Sequence, residues 1–152
     1  MANIDSLVVV DNFRVPKCDR CAGNRGVEFS LQSDSPIFSV SHGIVTFSGV
    51  VAGTKYLVVQ TPNLRRITYG RIKSSAVRAG DVVKAGQQIA TSTDKLYFGV
   101  REYLQSGATM TMRYVDPMQF LKINTENAPK AVLVFVGDSS LRARSLLPNS
   151  RC

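Results

Sequence analysis

A single histidine, His42, stands in the 152 residues, and acid is scarce too: 11 aspartates and glutamates face 19 lysines and arginines. One histidine excludes a zinc centre built on two or three imidazoles. The acid deficit leaves a formal charge of +8, which favours polyanionic partners such as nucleic acid, anionic lipid or anionic wall polymer. Nothing beyond charge supports nucleic acid, because zinc-finger spacing and an aromatic-rich RNA-binding sheet signature are both missing. No apolar run approaches the roughly 18 residues of a transmembrane helix. The opening MANIDSLVVVDNF has no basic segment ahead of its short apolar run and does not read as a signal peptide. A cytoplasmic location follows unless an export signal lies upstream.

Cysteine is sparse as well. Cys18 and Cys21 form one CDRC, and Cys152 is the last residue. One such pair, with no second pair and no histidine pair, is weak as a zinc site. In an exported domain it reads as a local disulfide, and in the cytosol as two thiols. A thioredoxin-like role needs a βαβ setting, and none is visible.

What is present is short, alternating and punctuated. PIFSVSHGIVTFSGVV alternates around a glycine turn, KYLVVQT follows, and VRAGDVVKAGQQIA holds two glycine turns around a valine pair. In PNLRRITYGRI, Thr68 and Gly70 face away from Tyr69 and Arg71. In KLYFGVR, Leu96, Phe98 and Val100 take one face, with Lys95, Tyr97 and Gly99 on the other. Period-two patterning with Gly, Pro, Asn and Asp between segments predicts antiparallel strands. Only DPMQFLK suggests a helical turn. The compact domain is expected over 1–122. Residues 123–152 read as a linker, a candidate strand in KAVLVFVG and a basic tail with the composition of a disordered segment.

Six segments in order resemble the LytM or lysostaphin-type zinc metalloendopeptidases, which cut peptidoglycan cross-bridges or stem peptides. GNRGVEF resembles that family's GxHxGxD, SPIFSVSHGIVTFSG its first core hairpin TPVxAxxxGxVxxxG, and RRITYGRI its YxHL strand. VRAGDVVKAGQQIA resembles VxxGDxVxxGQxIG, KLYFGVRE resembles HLHFEVR, and YVDPMQFL the closing DPxxYL. The resemblance spans about Phe13 to Leu121 and implies an all-β, LytM-like antiparallel β-sandwich with an open groove and few or no helices. It also implies an extracytoplasmic, envelope setting.

Carried over by motif, the three zinc-ligand positions hold Asn24, Glu28 and Tyr97, and the two catalytic positions hold Lys95 and Arg71. Only Glu28 is a competent donor. Asn24 is neutral, and Tyr97 must shed a proton of pKa about 10. Lys95 and Arg71 set two cations where a dication would sit. His42 occupies a variable position before the hairpin glycine and does not replace a ligand. Zinc is therefore not expected, and peptidase chemistry, which needs a metal-activated water, is in doubt. The expected function is a non-catalytic module that binds peptidoglycan or an anionic wall polymer, or regulates a cell-wall hydrolase. Its groove is expected to be lined by Glu28, Tyr69, Arg71, Lys95 and Tyr97. A plainer outcome pairs Lys95 and Arg71 with Glu28 and Glu102 as a salt-bridged relic.

Two alternatives remain open. An active metalloendopeptidase with a remodelled site would use Glu28 with Cys18 or Cys21. A biotinyl or lipoyl carrier would be modified at Lys95, since VRAGDVVKAGQQIATSTDKL resembles the carrier motif. A carrier lysine, however, sits on a tight exposed hairpin, whereas LYFGVRE continues as one strand.

Overall fold

The structure, a computed structural model, describes residues 8–123 and 133–135. The first strands are β1 (Val8–Asp11), β2 (Gly26–Ser30), β3 (Pro36–Phe38), β4 (Gly43–Val51) and β5 (Thr54–Gln60). β6 (Arg66–Ser75), β7 (Val82–Val83), β8 (Gln88–Ser106) and β9 (Thr109–Val115) follow, then β10 (Leu121–Ile123) and β11 (Leu133–Phe135). Among the described residues the one helical element is a 3-10 turn at Pro117–Gln119. It begins where DPMQFLK suggested, with the Asp116 carboxylate accepting from the Met118 amide at 2.9 Å and proline at the first position, where a missing N–H costs nothing.

The expected all-β, antiparallel architecture is borne out. Its hydrogen bonds run through one nine-stranded sheet, in the order β1-β2-β8-β6-β5-β4-β7, with β3 and β9 also paired to β8. The 19-residue β8 organises it. Its middle pairs with β2 on one edge and with β6 on the other, its start with β3 and its end with β9. The alternation read from KLYFGVR holds: Leu96, Phe98 and Val100 are buried in a core shared with Val27, Phe29, Leu57 and Ile67. Phe98 is fully enclosed and meets the Tyr69 ring edge-on, with centroids 5.4 Å apart. Burying such a ring stabilises the fold by roughly 1.5–3 kcal/mol.

One expected pairing does not form. The arms of SPIFSVSHGIVTFSG are β3 and β4, yet β3 pairs with β8, and β4 pairs with β5 and β7. The reason lies in the corner between them. The Ser39 amide donates to the Gln87 carbonyl, and its own carbonyl accepts from Gly86, both at 2.8 Å, so the chain is tied to the turn before β8. β4 instead forms a hairpin with β5 through Ala52 and Gly53, both at positive φ (48° and 79°). That two-residue turn matches the right-handed strand twist. The glycine turns read from VRAGDVVKAGQQIA are present, with Gly80 and Gly86 at φ 96° and 81° around β7.

Past the expected boundary at Lys122, β10 pairs antiparallel with β11, which lies within the KAVLVFVG segment. The rest of the 123–152 tail lies outside the described residues.

Candidate functional site

Strand register brings the positions singled out by motif onto the outer face of the sheet. Glu28 on β2 stands directly opposite Tyr97 on β8, and Ser30 opposite Lys95. From the other side, Gly70 on β6 also faces Tyr97. Arg71 joins them through a break in the ladder. The β6–β8 ladder bulges between Gly70 and Ile72, with the extra residues on β8, and Arg71 takes φ 59°, uncommon for a side chain with a Cβ. The bulge turns Arg71 outward, where its Nε donates to Glu28 Oε1 at 3.0 Å and its Nη2 lies in ion-pair contact with the same oxygen at 2.9 Å. The Arg71 carbonyl is held by Thr93 Oγ1 at 2.8 Å.

This donor set does not fit a zinc ion. The Asn24 amide is spent on backbone: Nδ2 donates to the Asn12 carbonyl at 3.0 Å, and Oδ1 accepts from the Gly26 amide at 3.3 Å. Those bonds, with the Arg14–Asn24 bridge, pin the loop that leads into β2. The Glu28 carboxylate already carries a guanidinium. The Tyr97 phenol is pushed up to about 12, first by burial and then by the neighbouring Tyr114 and Tyr56, against the opposing pull of Arg101 and Arg25. At neutral pH it remains an O–H donor rather than an anionic ligand. Among the described residues, no three His, Cys, Asp or Glu side chains are grouped to hold a metal.

Tyr97 lies across a trough made by missing side chains. A Cβ at Gly26 would stand 2.7 Å from the Tyr97 ring and 2.5 Å from the Phe98 carbonyl oxygen, and one at Gly70 would press on Tyr56 and Tyr97. Real Cβ atoms do not approach so closely, so the glycines admit the ring. Tyr56 meets it edge-on, with centroids 6.3 Å apart.

Tyr69 corrects the expected groove. It is 1% exposed, its hydroxyl accepts from the Val40 amide at 3.0 Å, and burial raises its phenol to about 12. It belongs to the core and not to the open face. Strict alternation placed Tyr69 and Arg71 together, and the bulge separates them. Of the five residues expected to line a groove, only Tyr97 does so. The open groove, about 760 Å³, is lined by Asn24 and Tyr97, by Phe47 and Tyr56 of the β4–β5 hairpin and by Tyr114 of β9. Three arginines, Arg25, Arg66 and Arg101, complete it. Glu28, Arg71 and Lys95 stand outside its lining.

These arginines escaped the motif reading, although two carried a signal. Arg101 continues the outward series Lys95, Tyr97, Gly99, and Arg25 adjoins Asn24. Tyr114 needed the pairing of β9 with β8, which sets it opposite Arg101.

The remaining candidates are placed as follows. Cys18 and Cys21 are joined in a disulfide, which removes both thiolates from the remodelled peptidase site with Glu28. The expected pairing of Arg71 with Glu28 is present, but Glu102 binds Arg65 at 3.0 Å and Arg113 at 3.5 Å rather than Lys95. Lys95 is exposed in mid-strand, not on the hairpin tip that a carrier lysine requires. His42 is half-buried just before β4, and its carbonyl accepts from Ser41 Oγ at 3.0 Å.

Comparison with known proteins defines the class. Residues 22–117 match the family model of Peptidase family M23, and the chain belongs to that family. Over 106 residues it is 33% identical to a lipoprotein NlpD/LppB homolog of Pseudomonas aeruginosa, an alignment covering 64% of this chain. The chain thus spans about a third of that relative's length, 33%. In fold it is similar to the catalytic domain of lysostaphin from Staphylococcus simulans, with TM-score 0.62, 20% identity and coverage of 75% of this chain and 91% of that one. It is equally similar to LytU, with TM-score 0.61, 24% identity and coverage of 76% and 84%. The described domain is a cell-wall-related LytM-type module.

Proposed function

We propose that this LytM-type module is non-catalytic and binds the peptide part of the cell wall through the open groove beside the former metal positions. One observation carries the reading: all three ligand positions are otherwise engaged. Asn24 holds backbone, Glu28 holds Arg71, and Tyr97 is a protonated phenol in a glycine trough. Zinc is not part of the proposal. The groove itself persists and is lined by aromatic rings and arginines, the residue types that dominate recognition surfaces. An extracytoplasmic, envelope location fits the Cys18–Cys21 disulfide, a bond of oxidising compartments, and the likeness to a lipoprotein homolog.

Co-sedimentation of the purified chain with insoluble peptidoglycan, with the supernatant assayed for released peptides, tests this. Retention without release is the expected result. Release that a chelator abolishes would overturn the non-catalytic reading. Neither retention nor release would overturn wall binding and turn attention to a cell-wall hydrolase as partner.

A further inference from the structure

Five other cations of the domain carry counter-ions that the groove arginines lack. Arg14, Arg65, Arg71, Lys73 and Arg113 each pair with an aspartate or glutamate. Arg25, Arg66 and Arg101 have no carboxylate partner among the described residues, and no acid lines the groove. They are nevertheless positioned. Arg25 donates to the Asp19 carbonyl at 2.5 Å and lies over the Tyr114 ring at 5.7 Å. Arg101 lies over the same ring at 5.9 Å. Arg66 donates to Gln60 Oε1 at 3.3 Å and lies over Tyr103 at 5.4 Å. Neutral groups orient these guanidiniums and leave their charge standing.

Strand register sharpens the point. Arg66 and Arg101 are direct cross-strand partners, and like charges directly opposite each other destabilise a sheet. Folding alone gains nothing from that arrangement, whereas an anion bridging the two would relieve the repulsion and satisfy donors that a guanidinium presents as a planar fork. The rest of the lining narrows the anion. Phe47, Tyr56, Tyr97 and Tyr114 offer apolar faces, which suit a ligand with an apolar body and an anionic end more than a uniformly polar phosphate polymer. A volume near 760 Å³ is in the range of pockets that hold small ligands or a few residues of peptide.

We infer that Arg66 and Arg101, flanked by Arg25, form a receptor for the terminal carboxylate of a short wall peptide whose apolar side groups lie along the aromatic floor. This rests on the wall-binding reading above and places its anion site at Arg66 and Arg101, apart from Arg71 and Lys95.

The test uses the full chain and a soluble stem pentapeptide in two forms, one ending in a carboxylate and the other in an amide, titrated by calorimetry. The acid form should bind at least about tenfold more tightly than the amide, as expected when a charge-assisted bond is lost. Arg66→Gln and Arg101→Gln should each lower the acid's affinity about tenfold or more while keeping or raising Tm, since each removes a repulsion. A structural role would lower Tm instead. Equal binding of acid and amide, unchanged affinity in both variants, or equal displacement by inorganic phosphate would overturn the assignment. Sedimentation with insoluble wall, run in parallel, separates the two readings. Retention that survives both substitutions overturns this receptor and leaves wall binding intact. A chain that binds the free acid in solution but is not retained by the wall leaves the receptor standing and overturns the wall reading.

Discussion

Two ends of one sheet face carry cations and treat them oppositely. At one end Arg71 is turned outward by a bulge and given its own carboxylate, Glu28. At the other, Arg66 and Arg101 are set against each other with aromatic rings and amides for company. Both ends share β6, where Arg66 and Arg71 are a few residues apart, but Arg71 finds its partner on β2 and Arg66 faces β8. The difference shows that cation count alone does not locate a binding surface. A cation with a built-in counter-ion contributes to the fold, while a cation held in place without one contributes field to whatever enters.

The comparison can be broken or sharpened by substitution. The largest effect is expected where both ends share support. Phe98→Ala removes a fully buried ring beneath Tyr69 and should cost about 3–5 kcal/mol, read by denaturant unfolding. It should cripple binding and stability together, and a mild loss would mean that the two ends do not rest on a common core.

Alkaline pH comes next. Tyr69 and Tyr97 both have folded pKa values raised from 10.0 to about 12, so the folded state holds these protons more tightly than the unfolded chain. Their contribution is fully present below pH 10 and is lost as pH rises through about 12. For the core ring Tyr69 the loss is roughly 2–3 kcal/mol. Circular dichroism against pH should show the decline in that window, and a flat profile to pH 12 would place both phenols in water.

Glu28→Gln is a smaller change that should make one end resemble the other. Arg71 loses its partner, and stability falls by about 1 kcal/mol or less, because Arg71 is partly solvated. Retention on anionic wall should stay the same or rise, since one more uncompensated cation faces solvent. A fall in retention would place Glu28 in the binding site. Lys95→Ala should change least, within about 0.5 kcal/mol and with no loss of retention, because Lys95 is exposed outside the groove. Lost retention would place the anion site at Lys95.

Much of this was legible in the chain. Alternation in KLYFGVR assigned Leu96, Phe98 and Val100 to the core and Tyr97 to the open face, because a strand's side chains alternate whatever they pair with. Glycines at 80 and 86 marked turns, and DPMQFLK marked its turn through aspartate and proline. The same rule misled at Tyr69 and Arg71, where one bulge shifts the period. It misled again at SPIFSVSHGIVTFSG, where a good local hairpin pattern was overruled by longer-range pairing to β8 and β5.

The sequence by itself determined the strand character, the buried face and the chemical poverty of the metal positions, since residue type and period-two spacing are local properties. Only the tertiary structure decided which cations gain a counter-ion. A counter-ion is a matter of distance across strands: Glu28 reaches Arg71 over 43 positions, and Arg66 meets Arg101 only when β6 lies beside β8. Spacing along a chain does not encode such meetings until the strands choose their neighbours.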